Sequence, residues 1–334
     1  MFPELFRIPF TQLTIKSYGL MLVIGFLAAV ALAKRLSRRI TSNPQIISDV
    51  ALYGLIAGVI GARLFYVVHY FKEKFAGHLL SIFAIWQGGL EFLGGIILAI
   101  AAVVFYLWRR KLPIRRCLDI LAIGVMLAVI FGRIGCLLNG CCFGKPTNLP
   151  WAIRFPYGSF AYRSQVYPNL ERGRSQPQLI LPTEFFGYYD DNGVWNQDLK
   201  PEKYLNWEQK EMVVKGPYRC LPVHPTQLYL SAVAAIICVL LYFFWRSYQD
   251  DTSQNRKLIF RKPGCTFGLA IVLYGITRFL VEFLRDDSPF EFDGLTVSQI
   301  MSIVMVILGV VLILIFEKMG QDKAEPHGDL QKNI

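Results

Sequence analysis

Apolar residues run along this chain in long unbroken stretches, so the alternation that marks half-buried strands is mostly missing. A helix needs roughly 20 such residues to cross the hydrocarbon of a bilayer. Runs of that kind occur near Tyr18–Ala33, Ile46–Tyr70, Leu90–Trp108, Cys117–Leu138, Gln227–Trp245, Gly268–Leu284 and Val297–Phe316. The pattern predicts an all-α polytopic membrane protein with about seven transmembrane helices. Between Gly140 and Val223 hydrophobicity gives way to a polar segment carrying Pro, Tyr and Trp, too long for a plain loop, so a folded head or lid is expected between spans four and five. The expected division is 1–139 for the first four helices, 140–223 for the insertion, 224–316 for the last three helices and 317–334 for a polar tail. Gln249–Lys262 reads as a polar loop.

Composition and charge fix what this pattern means. Hydrophobic residues make up 54% of the chain and charged ones 18%, with a mean hydropathy of +0.40, a balance that a soluble domain could not cover with polar surface. The basic clusters are Lys34, Arg35, Arg38 and Arg39, then Arg109 to Arg116, then Arg246 to Lys262. All follow odd-numbered spans. Short basic loops stay in the cytoplasm, so the N-terminus and the insertion are expected outside and the tail inside. The first span carries its charges after the apolar run and lacks a basic leader and a small-residue cleavage site, so it reads as a retained anchor. The net charge of +11 then reflects topology and attraction to anionic membrane lipids, and no nucleic-acid partner is expected.

The polar residues inside the spans carry the candidate chemistry. Arg63, Arg133, Arg278, Glu282 and Arg285 fall within or at the edge of apolar segments, where an unpaired charge costs at least ~2.5 kcal/mol. Arg278 and Glu282 are four residues apart and Arg278 and Arg285 seven apart, so they share one helical face. A structural ion pair between Arg278 and Glu282 is one reading. The other starts from four arginines set against a single Glu282, an excess that asks for an anion such as a lipid head group. Glycines at Gly88, Gly89, Gly94, Gly95, Gly132, Gly135, Gly140 and Gly144 either let a ligand approach the backbone or allow tight packing, whereas Gly54, Gly58 and Gly61 read as packing residues.

Seven cysteines add a further expectation. Cys117, Cys238 and Cys265 read as small apolar fillers, while Cys141, Cys142 and Cys220 flank the insertion on the oxidising side. A disulfide from Cys220 to Cys141 or Cys142 is therefore expected. A metal site is not, because no CxxC pair is present and only His224 is nearby.

The motifs YGLM at Tyr18–Met21, GARLFYV at Gly61–Val67, WQGGLEFLGG at Trp86–Gly95, GRIGCLLNGCCFG at Gly132–Gly144, LPWAIRFP at Leu149–Pro156, HPTQLY at His224–Tyr229 and YGITRFLVEFLRDD at Tyr274–Asp287 share one order along the chain. In that order the chain resembles the phosphatidylglycerol–prolipoprotein diacylglyceryl transferase family, over everything but the body of the insertion. The resemblance implies an enzyme of the bacterial cytoplasmic (inner) membrane that transfers the diacylglyceryl group of phosphatidylglycerol to the lipobox cysteine in the signal peptide of a prolipoprotein and releases glycerol phosphate. It implies no cofactor. Carried over by motif, Arg133, Arg278 and Glu282 would be catalytic, with Tyr18, Arg63, Gly94, Gly95, Asn139, Gly144, His224 and Arg285 lining the substrate site.

The chain departs from the family at three positions. Leu93 stands where an HGG triplet carries histidine, Cys141 where an acidic residue follows the NG, and Leu230 where one follows HPSQLY. The thiol proton would then pass to water or Glu282, with Glu91 a nearby polar group, while His224 beside Pro225 reads as fixing a turn through backbone hydrogen bonds. Two other classes stay open: a catalytically inactive paralogue that binds lipid or assists assembly, and an organic-anion transporter. The transporter would show flux in liposomes, and the paralogue would bind lipid without forming product.

Overall fold

The computed structural model describes residues 4–7, 14–71, 75, 79–84, 88–89, 91–249, 262–291 and 294–319. Trp86, most of the polar loop before Lys262 and the tail from Gln321 lie outside the described residues. A short antiparallel pair, β1 (Glu4–Arg7) and β2 (Thr14–Lys16), precedes helices α1 (Ser17–Ser37), α2 (Gln45–His69), α3 (Phe92–Arg109) and α4 (Ile114–Asn139). An irregular region follows with short helices α5 (Phe160–Val166) and α6 (Trp207–Val214) and the hairpin β3 (Phe186–Tyr189) and β4 (Trp195–Leu199). Helices α7 (Thr226–Gln249), α8 (Cys265–Glu282) and α9 (Val297–Lys318) close the chain.

Among the described residues, six helices (α1, α2, α4, α7, α8 and α9) are long and apolar enough to cross a membrane. The expected third span corresponds to α3, an apolar helix whose ends lie within two residues of the expected run. Its start is set by Gly88 and Gly89, whose φ values of 84° and 74° turn the backbone into a left-handed conformation that a helix cannot continue.

The spanning helices pack as antiparallel neighbours: α1 on α4, α2 on α3, α7 on α4 and α8 on α9. Small residues bring the backbones close. A Cβ on Gly61 would lie 2.4 Å from the Gly94 carbonyl, and one on Gly94 would strike the Phe65 ring at 2.3 Å. Gly94 and Gly95 therefore sit in the α2–α3 contact as packing residues rather than against open space. The main apolar core joins Ala33, Ile47, Leu107, Ile120, Ile123, Leu241, Trp245 and Ala270, all from the half of the bundle far from the irregular region. That leaves the near half free for polar groups.

The irregular region has its own core, built from Phe143, Phe155, Tyr162, Phe185, Leu199, Val213 and Val223 among others. It is tied to the bundle through backbone. Gly144 N donates to His224 O, Lys145 N to Leu284 O and Asp286 N to Phe143 O at 3.2, 2.8 and 3.3 Å. Side chains add the Arg174–Asp286 ion pair at 2.7 Å and a bond from Arg172 to Arg285 O at 2.9 Å.

The expected disulfide is not formed: all seven cysteines are free, and the Cys220 thiol lies 3.4 Å from Gln165 Oε1 in the core of the head. The chain reaches Cys220 after threading this core, which carries the thiol away from the α4 exit. Burial pushes the Cys220 thiol up to about 11. A raised thiol pKa means that thiolate is scarce until pH approaches that value, so at pH 8 about one Cys220 in a thousand is ionised. In folded, chelator-treated protein at pH 8, iodoacetamide should label Cys141 and Cys142 well before Cys220, and the Cys220 rate should keep climbing to pH 10; equal rates at pH 8, read by peptide mapping, would contradict its placement.

At the far end of the bundle, the fully buried Asp119 of α4 accepts from Gly264 N at 2.7 Å and Phe267 N at 2.8 Å, satisfying the open amides at the start of α8. Asp119→Ala should lower the thermal midpoint in detergent by an amount matching about 1–3 kcal/mol, and Asp119→Asn by less, because one acceptor oxygen survives. An unchanged midpoint for the alanine variant would show that these amides find other partners.

Candidate functional site

The site begins where α4 ends. Asn139 is its last helical residue, and Gly140, at φ 77°, takes the left-handed cap that lets the chain leave the axis. Cys142 follows at φ 60°, a conformation that a non-glycine residue adopts only under constraint. The constraint comes from the start of α7, where Thr226 Oγ1 donates to Cys142 O at 2.6 Å and Gln227 Nε2 to Cys141 O at 2.7 Å. Both side chains are fully buried, so the HPTQ segment works as a clamp on the turn after Asn139.

This turn folds back over the last helical turns of α4. Arg133 lies 4.0 Å through Nη1 from Cys142 Sγ and donates through Nη2 to Tyr274 Oη of α8 at 3.1 Å. Among the described residues it meets no carboxylate at ion-pair distance. The sulfur atoms of Cys136, Cys141 and Cys142 all lie within 4.8 Å of one another. The pairing expected from sequence took Cys220 as the third outer thiol. The structure brings in Cys136 instead, three residues after Arg133 on the same face of α4, and so assembles a potential metal-ligand set where none was expected. Tyr18, at the start of α1, packs over Gly135, where a Cβ would lie 3.1 Å from its ring.

The stripe on α8 is a buried ion-pair network. Glu282 is fully buried; its Oε2 lies 2.9 Å from Arg278 Nη1 and 3.5 Å from Arg285 Nη1, while Thr296 Oγ1 donates to Oε1 at 3.1 Å. Arg278 also donates to Ser298 Oγ at 2.7 Å, and Arg285 makes a two-pronged contact with Asp287 at 2.8 and 2.7 Å. Arg278 is near enough to Arg133 and Arg285 to feel the charge of both.

Arg63 is engaged elsewhere. Its guanidinium donates to the carbonyls of Ser81, Ile82, Gly88 and Gly89 at 2.6 to 3.0 Å, which makes it the organiser of the chain between α2 and α3. At the same end His69 Nδ1 lies 2.5 Å from Glu91 Oε1. Gly144 is pressed against His224, where a Cβ would lie 2.6 Å from both the His224 carbonyl and Cβ. His224 itself is tied through its backbone to Gly144 and Lys145, and its ring faces Tyr229 Oη at 3.3 Å. Tyr229 Oη in turn accepts from Trp151 Nε1 at 2.8 Å, joining two of the sequence motifs.

The positive excess read from sequence thus shrinks. Arg63 is saturated by backbone carbonyls, Arg285 pairs with Asp287 and Arg278 with Glu282, which leaves Arg133 with a tyrosine hydroxyl and a thiol as its side-chain contacts. Asp287, Tyr274, Thr226, Gln227 and Ser298 were missed as site residues. The two acids directly after Arg285 were visible as neutralising charge, whereas the serine and the two clamp residues carry no signal without the fold. A cleft of about 450 Å3 opens beside this turn, lined by Cys141, Cys142, Phe160, Arg163, Tyr167 and Asp287 among others. It connects the thiols to the face of the head.

Residues 3–315 match the family model described as prolipoprotein diacylglyceryl transferase. Similar curated proteins include phosphatidylglycerol–prolipoprotein diacylglyceryl transferases from Burkholderia ambifaria, 29% identical over 90% of each chain, and Burkholderia multivorans, 28% identical over 90% of each. The counterpart in Paraburkholderia phymatum is 27% identical over 95% of this chain and 94% of its own. With the match running through α4, the head and α8, this chain belongs to the prolipoprotein diacylglyceryl transferase family.

Proposed function

We propose that this protein transfers the diacylglyceryl group of phosphatidylglycerol to the lipobox cysteine thiol of prolipoproteins, with the head on the outer side of a bacterial cytoplasmic membrane and the C-terminus in the cytoplasm. The observation that carries this reading is Arg133: a guanidinium without a carboxylate partner among the described residues, close to a second arginine and 4.0 Å from Cys142, which lines a cleft. Such a group at membrane depth stabilises an anion by charge-assisted hydrogen bonds, and a phosphodiester head group supplies one. The orientation rests on the basic clusters, which fall at the ends of α1, α3 and α7, opposite the head.

In this reading the sulfur of the lipobox cysteine attacks the glyceryl carbon next to the phosphate, the C–O bond breaks, and its electron pair leaves with glycerol phosphate. Arg133 neutralises the charge that develops on that leaving group, assisted by Arg278. The thiol proton leaves to water, while Glu282, fully buried between Arg278 and Arg285, has a positioning part. Its work is to fix Arg278.

Arg133→Ala should lower transfer by more than about 100-fold, the scale for loss of a charge-stabilising donor, while insertion and thermal stability stay near wild type. Arg278→Ala should lower both transfer and stability, since it strips one partner from a buried carboxylate, which costs about 3–5 kcal/mol. Product formation on a lipobox peptide, measured by mass spectrometry at matched expression, checks both. Normal yield from Arg133→Ala would remove the phosphate-clamp assignment, and lipid binding with no product from the wild-type chain would favour the binding-only paralogue.

The clamp on the turn makes a separate claim. Gln227→Ala and Thr226→Val each free a carbonyl that holds the turn after Asn139, so each should cut transfer by about 10-fold or more through misplacement of the site. Insertion should be unchanged. Full activity in the double variant would mean that the turn holds its shape without α7.

A further inference from the structure

The three thiols at the end of α4 have no part in the phosphate clamp, and their arrangement is that of a ligand set. Cys136 comes from the last helical turns, and Cys141 and Cys142 come back over it from the other side of the Gly140 turn, so sulfurs separated by five and six residues converge within 4.8 Å. Tetrahedral zinc with Zn–S bonds near 2.3 Å places its sulfurs about 3.8 Å apart, so each pair needs to close by no more than about 1 Å, within reach of side-chain rotation. Two features hold the thiols in place. The Cys141 and Cys142 carbonyls are pinned by Gln227 and Thr226, and Cys142 keeps a left-handed backbone that aims its sulfur toward Arg133.

We propose that Cys136, Cys141 and Cys142 bind one zinc ion, and that its fourth position takes the thiol of the incoming cysteine. Three protein ligands with an open position mark a catalytic rather than a structural zinc site. The open side here is the cleft between the turn and the head: Cys136 is buried, whereas Cys141 and Cys142 line that cleft and are half-buried. Zinc bound by three thiolates is electron-rich, so a fourth sulfur keeps its nucleophilicity while losing its proton. The step balances simply. The cysteine S–H releases its proton to water in the cleft as the Zn–S bond forms; the sulfur then attacks the glyceryl carbon, and glycerol phosphate departs with the electron pair of the broken C–O bond. This part rests on the transferase reading, while the metal site itself does not. It also gives Cys141 a use at the position where an acidic residue is expected from the family resemblance.

The test uses the full-length protein purified under reducing conditions. Zinc content by elemental analysis should approach one per chain. Replacement with Co2+ should give the sulfur-to-metal charge-transfer and d–d bands of a tetrahedral thiolate site, and Cys136→Ser should weaken binding by more than about 100-fold by removing a ligand. Adding a lipobox peptide should shift the d–d bands, and the same peptide with serine for cysteine should not. No metal in the reduced protein, or a Cys136–Cys141 disulfide in protein alkylated before lysis, would overturn the site. Bands that ignore the peptide would overturn the thiol-ligand role and leave the transferase reading intact. Transfer that proceeds at full rate in metal-free protein and is lost in His69→Gln would overturn it in favour of a histidine base paired with Glu91.

Discussion

The near half of this bundle is organised around a carboxylate that has lost its water. Glu282 is fully buried at the end of α8, and a lone carboxylate there would give up its charge rather than stay ionised. Two guanidiniums and the Thr296 hydroxyl replace the solvent. Each of those partners brings a piece of structure with it. Thr296 is the N-cap of α9 and part of a capping box with Gln299, Arg278 reaches Ser298 in the first turn of α9, and Arg285 opens the segment on which the head is docked. One buried charge therefore sets the α8–α9 junction and the seat of the head together. With Arg278 and Arg285 anchored on this carboxylate, Arg133 on the facing helix is left with no carboxylate partner among the described residues.

The same economy explains where irregular backbone is tolerated. Peptide groups at membrane depth must find partners inside the protein, so non-helical segments need side chains devoted to them. Arg63 does this for the chain between α2 and α3 with four carbonyl contacts, and Thr226 and Gln227 do it for the turn after α4. The far half uses Asp119 in the same way, at the open amides that start α8. It is filled by Ile120, Ile123, Leu241 and Trp245, whose close packing fixes the helix ends while the near half keeps room for a polar ligand.

Most of the fold was legible because the bilayer makes length and apolarity nearly sufficient: the helices α1, α2, α4, α7, α8 and α9 lie where the apolar runs do. The third run, read from Leu90, matches α3 from Phe92, with the left-handed Gly88 and Gly89 just ahead of it. At the site, charges inside spans were visible as anomalies, yet their pairing was not. Sequence shows that Arg63 is out of place in hydrocarbon but not that it faces carbonyls, and counting Glu282 alone ignored Asp286 and Asp287 one turn further on. The cysteines show the limit most plainly. Position along the chain grouped Cys220 with Cys141 and Cys142, whereas helical phase and the Gly140 turn group Cys136 with them, and phase across a turn cannot be read without its dihedral angles.

The three departures from the family pattern then separate by location. Leu230 is fully buried on α7, in a position that only an apolar side chain or a paired polar one can hold, so its change is one of packing. Leu93 is about half exposed near the start of α3, on a helix whose outer side meets lipid, and an apolar residue there is what the surroundings favour. Cys141 alone lies at the turn beside Arg133, within sulfur contact range of two further thiols. A chain that had merely lost its catalytic groups would be under no physical pressure to hold Cys142 in a left-handed conformation with two buried side chains clamping its turn. The strained turn is kept in place, and what it presents toward Arg133 is sulfur.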